Sequence, residues 1–253
     1  MFAEVLSLNL FNFFLVFARI GGAMMLLPGF AATYVPVMVR LIIALFISLL
    51  VLPVVGPGLP DPPASNAGVG LLFAGEALIG VFIGALATMI ASALHATGTM
   101  ISFTSAMANA LVYDPVSQQQ SALASGFLTT LAMVLLFVTD LHHVMLRAVI
   151  DSYVLFIPGQ PPATGDAANM AARTVSDSFN LGIRLAAPFI LLSFGFNLLL
   201  GLLARLMPQF PVFFVGLPLQ QILSFSLMIL VLSSIMMVYL NHFTEVMGGL
   251  VGP

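Results

Sequence analysis

Between residues 139 and 153 the chain reads TDLHHVMLRAVIDSY, which holds Asp140, His142, His143, Arg147 and Asp151. On a helix, Asp140–His143, His143–Arg147 and Arg147–Asp151 are neighbours at i,i+3 or i,i+4. Three kinds of chemistry fit such a set. Converging imidazoles and carboxylates hold a metal ion, but the HExxH spacing or an equivalent is missing. The same groups lining a pore relay protons. The third is an intramembrane ion-pair ladder of Asp140, His143, Arg147 and Asp151 along one helix face. Structural networks are the common source of such clusters, so the ladder is the expectation, with no bound metal. Glu76 is the other candidate. A carboxylate inside an apolar run is functional by default. It stands only a few residues after a loop, however, so the expected role is an acidic residue near a helix start, where the dipole favours it. No nucleophile elbow, P-loop or dinucleotide fingerprint occurs, and GVFIG and GFNLLLG are flanked by apolar helical sequence. No catalytic residue and no cofactor is expected.

The elements that must carry these residues are oily. The chain has 253 residues, of which 61% are hydrophobic and 6% charged. Its mean hydropathy is +1.17. A soluble domain carries about 25% charged residues, so this chain cannot cover a water-exposed surface. It is a membrane protein, or one that hides nearly all of its surface in an assembly. It has no cysteine, which excludes disulfides and thiolate metal sites. All its basic residues are arginine: Arg19, Arg40, Arg147, Arg173, Arg184 and Arg205. They form no basic patch, so no nucleic-acid partner is expected. The first residues lack the basic region and cleavage site of a secretory signal and read as the start of a first helix.

Helical segments are predicted over about 6–27, 37–52, 69–103, 121–138 continuing through 140–157, 171–206 and 212–246. Pro28-Gly29, Pro36, the Pro/Gly-rich runs 53–68 and 158–169, and MPQFP at 207–211 punctuate them. Pro188 and Pro218 fall inside the last two segments and predict kinks. The predicted fold is all-α, with six or seven helical segments. Strands are not expected, because the apolar runs are long and lack period-two alternation. The third segment is long enough to exceed a bilayer core of about 30 Å. It carries Gly80 and Gly84 in a GxxxG spacing, extended by Ala87, Ala91 and Gly98, which favours close helix packing. Arg19 and Arg184 lie inside apolar runs. An arginine at a helix centre costs about 2.5–3.5 kcal/mol on insertion, so these face protein or water.

The segment SFTSAMANALVYDPVSQQQSALASGF, residues 102–127, breaks this pattern. It is small, polar and turn-forming, and Asp114 is its sole charge. Non-helical backbone at membrane depth is tolerated only when buried in protein or lining an aqueous cavity. The segment is therefore either an ordinary outside loop or a re-entrant piece of a conduit, and its lack of charge leans toward the conduit.

Several pieces, in order, resemble the FliR family of flagellar type III export-gate proteins. They are LVFARIGGAMMLLPGF, VPVMVRLIIAL, GEALIGVFIG, YDPVSQQQ, the Asp-x-His-His run from Asp140, and GLLARLMPQFPVFFVGLPLQ. The resemblance covers nearly the whole chain, and the last piece looks more flagellar than injectisome-like. It implies a non-enzymatic component in the bacterial inner membrane, at the flagellar basal body. The implied partners are FliP-like and FliQ-like subunits, FlhB-like and FlhA-like export proteins, unfolded flagellar substrates and membrane lipid. It implies a FliP-like part over 1–170 and a FliQ-like helical hairpin over 171–253, turning at Arg205, Pro208, Gln209 and Pro211. By the same resemblance, residues of about 105–120 plug the channel, with Ser105, Met107, Asn109, Val112, Tyr113, Asp114, Pro115 and Gln118 as the gate. Gly and Phe are common before the Asp-Pro in the family. Here Ala106, Met107, Asn109, Val112 and Tyr113 stand instead, and Met107 and Tyr113 supply the bulk. Two rival readings are a small-molecule or ion transporter with a re-entrant polar segment, and an intramembrane enzyme using Asp140, His142 and His143. Transporters often carry paired internal repeats, and none is evident.

Overall fold

The computed structural model describes residues 2–32, 34–105, 111–114, 119–160, 164–209 and 211–249. The fold is helical, as predicted. Among the described residues, seven α-helices follow in chain order: α1 (Phe2–Met24), α2 (Val37–Val55), α3 (Asn66–Thr104), α4 (Leu123–Val138), α5 (Leu141–Leu155), α6 (Thr164–Leu206) and α7 (Val212–Gly248). Four among the described residues are long and apolar enough to cross a membrane, spanning 37–58, 66–104, 165–206 and 214–248, and α4 with α5 qualifies as a broken fifth.

Most boundaries fall at the predicted breakers. After α1 the chain turns at Gly29, whose φ of 86° suits glycine. Pro36 precedes α2, and its missing N–H costs nothing there. Pro53 sits in the last turn of α2, which then tightens into a 3-10 turn, Gly56–Gly58. Ser65 starts α3, its Oγ accepting the Gly68 N–H at 3.1 Å. The 39 residues of α3 run about 58 Å at the usual rise. α6 and α7 continue as helix through Pro188 and Pro218.

The strand expectation needs one correction. Two short strands, β1 (Leu111–Asp114) and β2 (Gln119–Ala122), pair antiparallel inside the polar segment, Leu111 opposite Ala122 and Asp114 opposite Gln119. Each strand has four residues, too few for alternation to show in the sequence.

The chain forms two compact units. One takes residues 1–90, 137–175 and 244–253: α1, α2, the first part of α3, the last residues of α4, α5, the beginning of α6 and the end of α7. Its buried apolar residues include Leu15, Val16, Ile20, Ile83, Leu86, Met145 and Val149. The other takes residues 91–136 and 176–243: the end of α3, the strand pair, and most of α4, α6 and α7. Leu94, Ile101, Leu128, Phe189, Ile235 and Phe243 are buried there. In this second unit α6 and α7 double back on each other. Gly216 lies against Leu200, and Gln220 bonds Ser193.

Candidate functional site

The polar segment lies in the second unit and is framed at both ends. α3 ends at Thr104, and Ser105 follows, buried, with its hydroxyl unpartnered among the described residues. Val112, Tyr113 and Asp114 lie in β1, opposite Ser121, Gln120 and Gln119. Met107, Asn109, Pro115 and Gln118 are outside the described residues. β-branched and aromatic residues favour such pairing, as at Val112 and Tyr113.

Small and polar side chains clamp the helices on either side. Gly98 of α3 faces the backbone of Ser125 at the start of α4, so closely that an added Cβ would overlap it. Ser102 Oγ accepts the Ala124 N–H at 3.3 Å, supplying a partner for a free first-turn donor of α4. Ser125 Oγ lies 2.9 Å from His95 Nδ1 and 3.2 Å from the His95 carbonyl. On the other side, Gln220 of α7 donates through Nε2 to the Thr104 carbonyl at 2.7 Å and to Ser193 Oγ at 3.1 Å. Asn197 Nδ2 donates to the same Ser193 oxygen. Thr97 Oγ1 reaches the Gly182 carbonyl at 3.3 Å. His95, Ser125 and Gln220 carry this frame, and sequence reasoning did not single them out. Gln220 did stand in the strongest resembling piece, GLPLQ, but its partner Thr104 is 116 residues away.

The first unit contains a buried polar cluster, and here Glu76 departs from its expected role. Glu76 stands ten residues into α3 and is 2% exposed, while Arg19 is fully buried. Arg19 Nε donates to Glu76 Oε2 at 2.6 Å, Nη1 to Ser152 Oγ at 3.2 Å and Nη2 to the Phe156 carbonyl at 2.9 Å. Its guanidinium also lies 3.8 Å from the Tyr153 ring centroid, a cation–π geometry. Arg19 therefore avoids lipid through its own chain. Glu76 is a buried ion-pair partner rather than a helix-start acid. One turn on, Gly80 lies against the Arg19 carbonyl, and Gly84 against Ala23 and Leu26. Gly22 answers from α1, against the Ala77 carbonyl. These glycines let α1 and α3 approach closely enough for the short Arg19–Glu76 bond.

The remaining candidates are more open. His143 Nδ1 lies 3.8 Å from Asp140 Oδ1, and Arg147 Nε 3.4 Å from Asp151 Oδ2, along α5. The helix predicted to continue through this region instead breaks at Asp140, which has a φ of 58°. Arg184 is exposed on α6. Arg205, Pro208, Gln209 and Pro211 are exposed around the break between α6 and α7.

The sequence matches the family described as Bacterial export proteins, family 1, over residues 10–246. The chain belongs to this family. Its similar relatives are flagellar biosynthetic proteins FliR. That of Caulobacter vibrioides is 37% identical over 92% of this chain and 93% of the relative. That of Bacillus subtilis is 32% identical over 92% and 90%. The Escherichia coli protein is 28% identical over 79% and 76%. The family resemblance read from the sequence therefore holds, and it places the chain among the components of flagellar export.

Within this export family member, Gln220 gives a direct test of the frame. Gln220→Leu removes the donor from the Thr104 carbonyl and from buried Ser193. Leaving such a carbonyl unpaired costs about 1–3 kcal/mol. Thermal unfolding in detergent is expected to shift down accordingly. An unchanged midpoint would mean that the end of α3 does not depend on α7.

Proposed function

We propose that this chain is a non-enzymatic core component of the flagellar type III protein export gate, in the bacterial inner membrane at the flagellar basal body. In this reading it assembles with FliP-like and FliQ-like subunits around the path of unfolded flagellar subunits, alongside FlhA-like and FlhB-like export proteins. Residues 1–170 act as a FliP-like part and 171–253 as a FliQ-like hairpin. Residues of about 105–120 form the gate, with Ser105, Met107, Asn109, Val112, Tyr113, Asp114, Pro115 and Gln118 its working positions.

The observation that carries this reading is the framing of the polar segment. A small, nearly uncharged stretch with a strand pair is tethered to helices at Ser102, Gln220 and the Gly98–Ser125 contact. A gate needs fixed ends and a middle able to yield, and short four-residue strands hold weakly by themselves. The outward apolar side chains of α6 and α7, among them Leu191, Phe194, Leu202, Phe214, Ile222 and Leu230, suit a chain covered by partner helices and lipid.

The absence of native cysteine makes the test clean. A cysteine at Asn109, with a control at exposed Asp61, is expected to crosslink to a cysteine-bearing export substrate stalled in an assembled gate only at position 109. Equal crosslinking at both positions, or none at 109 with a loaded gate, would remove the polar segment from the export path. Transport of a small solute by this chain alone would favour the transporter instead.

A further inference from the structure

At the break between α4 and α5 the structure does something the helical spacing does not predict. Adjacent residues on a helix point about 100° apart and do not face each other. His142 and His143 nonetheless bring their rings to 4.1 Å between centroids. Asp140 joins them, and among the described residues these three are the group whose donor atoms all lie within 4.8 Å of one another. We propose that Asp140, His142 and His143 form a binding site for a divalent transition-metal ion of the zinc class.

Three features point this way. Asp140 sits directly before α5 in a left-handed conformation that aspartate enters more readily than most residues, and its side chain makes no capping hydrogen bond. Its carboxylate is thereby left available beside the imidazoles. The His142 ring is held in place by stacking on Phe137, at 5.1 Å and 23°. Lastly, Asp140 Oδ1 and His143 Nδ1 are 3.8 Å apart, beyond hydrogen-bond distance. Zinc bonds of about 2.0–2.2 Å to N and O place two ligands of one tetrahedral ion about 3.3–3.5 Å apart. Asp140 and His143 are well exposed, so modest side-chain rotation closes the remaining gap. Two imidazoles and one carboxylate suit zinc, and a fourth position stays open to water or to a ligand from another chain. In the bound state Asp140 and His143 meet through the ion and not as the first rung of a ladder. The site is independent of the gate reading.

The chain itself keeps the background low. It has no cysteine and four histidines, of which His95 is engaged by Ser125. The test uses the full chain in detergent micelles, titrated with Zn²⁺ against a chromophoric chelator. One ion per chain is expected, with micromolar or tighter affinity. His142→Ala and His143→Ala are each expected to weaken it by about tenfold or more, since even outer-shell losses cost 10–100-fold. Asp140→Asn is expected to weaken it less, and Arg147→Gln, one helical turn beyond the site, to leave it unchanged. Circular dichroism confirms that each variant remains helical. Zinc bound no better by the wild type than by a variant combining Asp140→Asn, His142→Ala and His143→Ala would overturn the site, as would equal loss on Arg147→Gln.

Discussion

Arg19→Met is expected to prevent stable accumulation of the chain. The substitution leaves the Glu76 carboxylate in a pocket where it is 2% exposed, with its cation gone. Removing one partner of a buried pair costs about 3–5 kcal/mol. That is a large part of the 5–15 kcal/mol that holds a typical domain together. The Phe156 carbonyl also loses its donor, and Tyr153 its stacked cation. Ser152 is less affected, because its hydroxyl still donates to the Val149 carbonyl at 2.6 Å. The informative comparison is the double variant Arg19→Met/Glu76→Leu. It removes both charges and replaces them with apolar bulk, which is often near neutral. Membrane-fraction levels and detergent unfolding should recover most of the single-variant loss. Arg19→Lys should fall between, since an ammonium cannot reproduce the fork that reaches Glu76, Ser152 and Phe156 together. A single variant as stable as the wild type would show that the pair contributes nothing to the fold.

Gly80→Val is expected to be nearly as damaging, for a steric reason. The first added carbon already overlaps the Arg19 carbonyl, which belongs to helix backbone and cannot rotate away. α1 and α3 must then separate along the seam of Gly22, Gly80 and Gly84. Overpacking costs about 1–3 kcal/mol even where side chains can shift, and this contact offers little freedom. The separation would also stretch the Arg19–Glu76 bond, so the two effects compound. Gly75 provides the control on the same helix, because a Cβ there meets nothing within 4 Å. Gly75→Ala should leave stability unchanged or raise it by up to about 1 kcal/mol through helix propensity. Loss in both variants would assign the effect to glycine content rather than to the seam.

These two sites show what a sequence discloses and what it withholds. Local punctuation was legible: Pro28-Gly29, Pro36, the loop at 53–68 and the 207–211 break mark where helices stop, because their backbone limits are intrinsic. The small residues Gly80 and Gly84 were visible as candidates for close approach, but not the helix they approach. Glu76 was misjudged because its meaning depends on Arg19, 57 residues earlier, and local context offered only a helix start. Gln220 is similar: its amide is informative only once Thr104 is known to end α3 beside it. The strand pair and the meeting of His142 with His143 were hidden for another reason. The strand pair is too short to leave a periodic signature, and the meeting of His142 with His143 rests on side-chain conformation inside α5, which spacing does not encode.

The distance in sequence between Arg19 and Glu76 also orders events during synthesis. A ribosome adds about 5–20 residues per second, so α1 emerges roughly 3–11 s before Glu76 can join it. During that interval Arg19 is a lone cation in an apolar helix, which resists entry into hydrocarbon. α1 therefore lacks the partner that neutralises Arg19 until α3 arrives. A nascent chain truncated before Asn66 should accumulate less well than one extended through α3.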